Sequence, residues 1–165
     1  MKELIMVMGI SGSGKSTIGQ ALAIEMGLPF IDADDFHPQE NIKKMSRGEA
    51  LNDDDRWPWL ASIVEYVLDS HRPSMVLACS ALKTSYREYL GQRLTLKTLF
   101  LNLSRDEAIR RLADRKGHFM PTSLVDSQLN TLEEPKEAVS VSATDSISSI
   151  VQTASQHFST HNLNP

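Results

Sequence analysis

The sequence contains one cysteine, Cys79, and this scarcity excludes two kinds of framework. No disulfide can form within the chain, and a zinc site built from several cysteines is excluded as well. Long apolar runs are also missing: no segment approaches the roughly 20 residues of a transmembrane helix. The apolar run at 4–8 leads directly into Gly9, so we interpret it as a strand rather than a signal peptide. We therefore expect a cytoplasmic protein.

The sequence also lacks an excess of basic residues. It has 17 Lys and Arg against 21 Asp and Glu, a formal net charge of −4. This balance argues against nucleic acid or a membrane surface as the main partner. The 165 residues suffice for one domain with its own core, and they contain no repeat or low-complexity linker. We expect a single domain over residues 1–165, with a flexible tail from about 160.

The most specific motif is G-x-x-x-x-G-K-[ST] at residues 9–16, which follows the predicted first strand and precedes a helical pattern. Such a loop brings backbone N–H groups and a helix N-terminus to the phosphates, while Lys15 reaches the β/γ-phosphates and the Ser16 hydroxyl ligates Mg²⁺. The motif predicts a nucleoside-triphosphate site with Mg²⁺, and by itself it does not distinguish a kinase from a GTPase or a motor ATPase. The nucleotide-binding residues of the loop would be Gly9, Ser11, Gly12, Ser13, Gly14, Lys15, Ser16 and Thr17.

Short apolar runs alternate with helical patterns along the chain, which is typical of a parallel sheet covered by helices. The predicted strands are 4–8, 29–31, 75–79, 98–101 and 138–141. The predicted helices after the phosphate loop are 38 to about 47, one opening at Pro58, one carrying Tyr86 and Leu90, 105 to about 116, 123–132 and 147–158. Residues 52–56 are expected to form a polar turn, and Ser104 with Glu107 to form a capping box.

Two carboxylates, Asp32 and Asp34, follow the predicted second strand. At positions i and i+2 of an extended strand end, they would point to the same side. Beside the phosphate loop, one could orient hydrated Mg²⁺ and the other a substrate hydroxyl. The alternative is that both only shape a turn or cap a helix.

Two arginines, Arg111 and Arg115, are four residues apart on a predicted helix that leads into residues 116–119. Phosphoryl transfer needs positive charge over the migrating group and a closed site, which paired arginines at the root of a lid would supply. A solvated basic helix face is the alternative. A guanine-reading Asn-Lys-x-Asp motif is absent, which argues against a GTPase.

Beyond the phosphate loop, the sequence resembles the gluconokinases in blocks that follow one another in consistent order over about residues 3–145. With x for positions outside the likeness, the blocks are DADDFHP at 32–38, NIxKM at 41–45, GxxLNDDDRxPWL at 48–60, CSALKxxYR at 79–87, RKGHF at 115–119 and QLNTLExP at 128–135. The resemblance weakens after Pro135.

The resemblance implies the fold of the shikimate and adenylate kinases, a P-loop α/β/α sandwich with a five-stranded parallel sheet, a substrate-binding segment and a lid, here about 115–127. It implies ATP- and Mg²⁺-dependent phosphorylation of D-gluconate at the 6-hydroxyl by a homodimer. By the same analogy Asp34 would hold the acceptor hydroxyl and Asp32 would contact Mg²⁺ through water. The catalytic residues would then be Lys15, Asp34, Arg111 and Arg115. Adenine contacts are expected from the 111–115 region and from 143–145.

An acceptor with one carboxylate and a row of hydroxyls needs a pocket of cations and hydrogen-bonding groups. The expected substrate residues are Asp34, His37, Lys44, Arg56, Lys83 and Arg87, with Arg47 a weaker candidate. Arg56 could instead pair with a neighbouring aspartate, and His37 could simply cap the helix after Pro38. Trp57 and Trp59 are expected to serve packing rather than sugar stacking.

Two other functions stay open from the sequence. One is a kinase of another small polar acceptor, similar to shikimate or adenylylsulfate. The other is a regulator that binds ATP without a small acceptor, although no extra domain or basic tail supplies a partner surface for it.

Overall fold

A computed structural model describes residues 1–114 and 122–160. Five parallel strands form one sheet in the order β2-β3-β1-β4-β5. The strands are β1 (Glu3–Met8), β2 (Phe30–Asp32), β3 (Ser74–Ala78), β4 (Thr95–Asn102) and β5 (Val139–Ser142). The predicted strands agree within one residue, except that β4 begins three residues earlier than predicted.

The α-helices of the described residues are α1 (Lys15–Met26), α2 (Gln39–Ser46), α3 (Asp53–Asp69), α4 (Thr84–Gly91), α5 (Arg105–Ala113), α6 (Thr122–Thr131) and, after the last strand, α7 (Ile147–Thr160). A 3₁₀ helix, Ala33–Phe36, follows β2 directly. Among the described residues, no helix is both long and apolar enough to cross a membrane.

The sheet is covered on both faces, and the side chains of β1 alternate between two cores. Ile5 and Val7 belong to the core formed with α1, α5 and α7. Leu4, Met6 and Met8 belong to the core formed with α3 and α4. All five side chains have no exposed surface, and full burial of each such side chain stabilises the fold by about 1.5–3 kcal/mol. The prediction of a three-layer α/β/α architecture is confirmed.

The parallel arrangement brings the carboxyl ends of the strands to one edge of the sheet. The phosphate loop follows β1, Asp32 ends β2, and residues 79–83 follow β3. In open α/β sheets this edge is where ligands bind. The candidate site residues are therefore gathered by topology, although they are distant in sequence.

Helix α3 begins earlier than predicted, so the expected polar turn at 52–56 is wrong. Asn52 is the N-cap: its side chain accepts from the Asp55 N–H (2.8 Å), and the Asp55 carboxylate accepts from the Asn52 N–H (2.9 Å). The acidic first turn also suits the positive end of the helix dipole. Pro58 therefore lies inside the helix, near its N-terminus, rather than opening it.

Two further expectations need correction. Asp34 lies in the 3₁₀ helix and not on an extended strand end, so alternation along a strand does not orient it. Helix α5 ends at Ala113 rather than near residue 116, and only half of its capping box forms. Ser104 Oγ accepts from the Glu107 N–H (3.3 Å), whereas the Glu107 carboxylate accepts from Arg110 and Arg111 instead of reaching back.

Candidate active site

The phosphate loop has the backbone that its glycines predict. Gly12 (φ 87°) and Gly14 (φ 92°) adopt the left-handed region, which side chains with a Cβ rarely enter. A Cβ on Gly9 would come within 2.6 Å of Ser13 Oγ and 3.0 Å of the Leu101 carbonyl oxygen, so Gly9 allows a close approach to β4. The loop leads into the N-terminus of α1, whose first residue is Lys15.

Ser16 and Asp32 lie close together, as the predicted metal position requires. The Ser16 hydroxyl donates to Asp32 Oδ2 (2.6 Å), and Asp32 Oδ1 accepts from the Asp34 N–H (3.0 Å). Hydroxyl and carboxylate oxygens are suitable Mg²⁺ ligands, and Mg²⁺ in kinases usually takes few protein ligands besides water and phosphate. Residues 1–114 and 122–160 hold no group of three or more metal-binding side chains, which is consistent with such a sparse site.

Asp34 is a carboxylate of this cleft whose surroundings raise its pKa. Partial burial and the neighbouring charge of Asp32 raise its pKa, whereas Lys15 and His37 act in the opposite direction. The side chain is therefore within electrostatic range of both the phosphate loop and His37. A carboxylate with raised proton affinity next to a phosphate site has the properties of a proton acceptor.

His37 follows the 3₁₀ helix and packs flat on an indole. Its ring stacks on Trp59 with centroids 4.5 Å apart and planes 12° apart. Trp59 is buried and donates from Nε1 to the Ala33 carbonyl (2.6 Å). Burial lowers the pKa of His37, and Arg56 lowers it further, against the opposing effect of Asp34. Trp59 therefore has the packing role predicted for it, and it holds His37 as well.

Two of the cations predicted for the acceptor pocket form ion pairs with the acidic first turn of α3. Lys44 on α2 pairs with Asp55 (2.7 Å), and Lys83 pairs with Asp53 (2.9 Å). These pairs are partly exposed to solvent, so they contribute little stability and could be exchanged for an anionic ligand at small cost. The aspartates hold the cations in place without burying them.

Arg56 has a different partner from the neighbouring aspartate considered above. Its Nη1 donates to the Tyr86 hydroxyl (3.0 Å), and its guanidinium lies 5.4 Å from the centre of the Tyr86 ring. The Tyr86 hydroxyl in turn donates to Asp53, which also accepts from Lys83. Hydrogen bonds from Tyr86 and Lys83 lower the pKa of Asp53. The Tyr86 hydroxyl and the Asp53 carboxylate therefore connect Arg56 with Lys83 in one hydrogen-bond network.

Arg87 is held by backbone carbonyls of the loop after β3. Its guanidinium is buried and donates to the Ala81 carbonyl (2.8 Å), the Leu82 carbonyl (3.2 Å) and the Glu133 carbonyl (2.7 Å). Ala81 has φ 38°, a left-handed backbone that is unusual for alanine. These contacts give Arg87 a structural role in shaping that loop, while its expected contact with the acceptor stays a prediction.

Arg111 connects the phosphate loop to the loop after β5. It donates to the Gly12 carbonyl (3.1 Å) and to the Ala143 carbonyl (2.8 Å), and it pairs with Glu107 (3.2 Å). The two regions expected to contact adenine are thus in contact with each other. Arg115, most of the predicted lid and the tail at 161–165 lie outside the described residues.

Several residues of the cleft are absent from the sequence-based prediction. The clearest are Asn41, Asp53, Tyr86 and Gln128. Gln128 accepts from the Ser11 N–H (2.7 Å) and donates to Ser11 Oγ (2.9 Å), so α6 is tied to the phosphate loop. Asn41, Asp53, Tyr86 and Gln128 all lie in the blocks that resemble gluconokinases, and that resemblance was the available signal. Their pairwise contacts span up to 117 residues, which no local pattern encodes.

Comparison with known proteins agrees with this geometry. A family model for shikimate kinases matches residues 11–162. A probable gluconokinase of Xenopus tropicalis is 46% identical, with 80% of this chain and 79% of the relative covered. A gluconokinase of Gluconobacter oxydans is 45% identical, with 81% and 76% covered.

A crystal structure of a gluconokinase from Sinorhizobium meliloti superimposes with a TM-score of 0.87 at 45% identity, covering 98% of this chain and 95% of the other. The chain therefore belongs to the gluconokinase family of P-loop kinases.

Proposed function

We propose that this protein transfers the γ-phosphoryl group of ATP to the 6-hydroxyl of D-gluconate, giving 6-phosphogluconate and ADP. The observation that carries the proposal is the position of Asp34, which is in electrostatic range of Lys15 on one side and of His37 on the other. A carboxylate between a phosphate loop and a cation-lined pocket is suited to align an acceptor hydroxyl. The names of the relatives above supply the identity of the acceptor.

The two ends of the acceptor suit the two ends of the cleft. D-gluconate carries a carboxylate at C1 and a primary hydroxyl at C6. The cations Lys44, Arg56 and Lys83 lie on the acceptor side, around the first turn of α3, and are suited to the carboxylate and the nearby hydroxyls. The hydroxyl at the opposite end would then be the one that reaches Asp34. This polarity favours reaction at the 6-position.

Different residues of the chain align the acceptor, receive its proton and offset the charge of the phosphates. The bond between the γ-phosphorus and the β,γ-bridging oxygen breaks, a bond to the 6-oxygen forms, and the hydroxyl proton passes to Asp34. Lys15 and the N-terminus of α1 offset the negative charge of the phosphates. Because the transition state is loose, alignment by Asp34 and charge from Lys15, Arg111 and Arg115 contribute more than deprotonation.

Mg²⁺ would be held by the Ser16 hydroxyl and, through water, by Asp32. Their hydrogen bond keeps the two oxygens 2.6 Å apart. When bound with ATP, the ion neutralises phosphate charge. The protein is further proposed to be a cytoplasmic homodimer; sedimentation of the purified chain as a monomer would refute the dimer.

The first experiment measures ADP release with ATP and Mg²⁺, with D-gluconate, with shikimate or with no acceptor. We expect strong stimulation by gluconate alone, with the product identified as the 6-phosphate by ³¹P and ¹³C NMR. Stimulation by shikimate instead would assign another acceptor. Nucleotide binding without stimulation by either would overturn the proposed reaction and leave the phosphate loop intact as an ATP site.

A matched pair of variants tests the acceptor pocket. Arg56→Ala removes a charged donor to the acceptor, which is worth about 1.5–3 kcal/mol, so we expect KM for gluconate to rise by about 10- to 100-fold. KM for ATP should change little. Arg93→Ala is the control, because Arg93 is exposed and is none of the expected site residues. Equal effects of the two substitutions would refute the assignment of Arg56.

A further inference from the structure

One buried polar side chain in the cleft has no place in the reaction so far. Asn41, on α2, is only 3% exposed. Its Nδ2 lies 2.9 Å from the Asp55 carbonyl oxygen and 3.2 Å from His37 Nδ1. Asn41 therefore connects α2 to the first turn of α3 and to the histidine that faces Asp34.

These two contacts together determine where the proton of His37 lies. The Asp55 carbonyl can only accept, so the amide of Asn41 must present its NH₂ group to that side. The same NH₂ group faces His37 Nδ1, which must then also accept. A neutral imidazole that accepts at Nδ1 carries its hydrogen on Nε2.

We propose that Asn41 is a positioning residue that holds His37 as the neutral Nε2–H tautomer, ready to donate a hydrogen bond to the acceptor. The last step rests on the proposed function, whereas the tautomer does not. Trp59 restrains the plane of the ring by stacking, and Asn41 selects the nitrogen that carries the hydrogen.

The charged groups around the ring are consistent with this state. Asp34 on the 3₁₀ helix attracts a proton to His37, while Arg56 on α3 repels one, and burial also disfavours the charged form. Protonation at Nδ1 would set a hydrogen against the NH₂ group of Asn41. Turning the amide to relieve this would place its oxygen against the Asp55 carbonyl. Burial, Arg56 and the contact with Asn41 therefore all favour the neutral ring.

The tautomer separates the roles of the two titratable groups that meet at the acceptor. With Nδ1 occupied by Asn41, the ring presents only a donor, Nε2–H, and cannot remove a proton from the acceptor hydroxyl. Asp34 has only acceptor oxygens when ionised. His37 therefore donates to an acceptor oxygen while Asp34 receives the hydroxyl hydrogen, and the two do not compete.

The first test is an NMR measurement on the full, unliganded chain. Long-range ¹⁵N–¹H spectra distinguish the two histidine tautomers, and the His37→Gln variant assigns the signals among the five histidines. We expect the Nε2–H pattern at pH 8, persisting below the ordinary histidine pKa near 6.5. An Nδ1–H pattern, or titration at or above pH 6.5, would overturn the proposal without any variant of Asn41.

The second test replaces the amide of Asn41 with an acceptor. In Asn41→Asp, a carboxylate facing Nδ1 favours the imidazolium, so the pKa of His37 should rise by about one to three pH units. The imidazolium keeps its Nε2–H donor, so KM for gluconate should change little in Asn41→Asp, whereas His37→Ala, which removes the donor, should raise it by about 10-fold. Asn130→Asp, on the exposed surface of α6, adds the same charge as a control and should change neither the pKa of His37 nor KM for gluconate.

The outcomes separate the inference from the proposed function. A raised His37 pKa in Asn41→Asp alone, together with a raised KM for gluconate in His37→Ala, supports the whole inference. A raised pKa in Asn41→Asp with an unchanged KM in His37→Ala overturns the role of His37 toward the acceptor. A wild-type protein that does not phosphorylate gluconate refutes the proposed function, whereas the NMR result still decides the tautomer.

Discussion

Helix α1 packs so closely on β2 that adding one methyl group, in Gly19→Ala, should measurably change the free energy of unfolding. A Cβ on Gly19 would lie 2.7 Å from Cε2 and 3.3 Å from Cδ2 of Phe30, whereas carbon atoms normally approach to about 3.5–4.0 Å. The Phe30 ring must move by roughly 1 Å, and its backbone is held by pairing with Val76 of β3. Overpacking of this kind costs about 1–3 kcal/mol.

Gly19→Ala also gains helix propensity of about 1 kcal/mol, which offsets part of that cost. Gly91→Ala isolates this gain, because a Cβ on Gly91 would meet nothing within 4 Å. We expect the two variants to differ by about 1–3 kcal/mol in the free energy of unfolding, with Gly91→Ala the more stable. For a chain of this length that corresponds to roughly 2–12 °C in Tm.

Urea and thermal unfolding of both variants, compared with the parent, measure the difference. Phe30→Leu in the Gly19→Ala background should recover stability relative to the sum of the single changes, because the shorter side chain leaves room for the methyl group. Gly19→Ala that is as stable as Gly91→Ala, or additivity in the double variant, would refute the packing argument.

Three other substitutions test separate parts of the site. Asp34→Asn should lower kcat/KM by about 10²–10⁴-fold while isothermal titration still detects ATP binding; near-parental turnover would refute its role. Arg87→Ala removes the guanidinium donor from the Ala81 and Glu133 carbonyls and should destabilise the protein by about 2–5 kcal/mol, with KM for gluconate little changed in the folded fraction. Arg111→Ala should raise KM for ATP more than KM for gluconate, because its contacts are to Gly12 and Ala143; the reverse order in steady-state kinetics would contradict this.

The sequence was most informative where the chemistry is local. The phosphate loop needs its glycines and its lysine within eight residues, and β1 and β3 lie in nearly continuous apolar runs, so both features were predictable. The start of α3 was also encoded locally, by Asn52 and Asp55 three residues apart. Pro58 misled the prediction, because proline is common in the first turn of a helix but is tolerated slightly further in.

Long-range contacts account for what the sequence could not supply. From the sequence, Arg87 was predicted to bind the acceptor. The structure adds a contact that the sequence did not indicate, because Arg87 donates to the Glu133 carbonyl, 46 residues away along the chain. For Asp32 the alternative that it caps a helix is what the structure shows, since its carboxylate accepts from the Asp34 N–H at the start of the 3₁₀ helix. The group with which a charged side chain pairs depends on the tertiary fold, whereas the sequence gives only the charge of that side chain.

The buried thiol at the end of β3 has a practical consequence for measuring motion in this enzyme. Cys79 is 2% exposed, and burial raises its pKa to about 12. Only on the order of one thiol in ten thousand or fewer is then ionised at neutral pH, and the thiolate is the reactive form. A cysteine introduced on the surface could therefore carry a fluorophore or spin label selectively, with the native residue left in place. Distances across the cleft could be followed in otherwise unaltered protein.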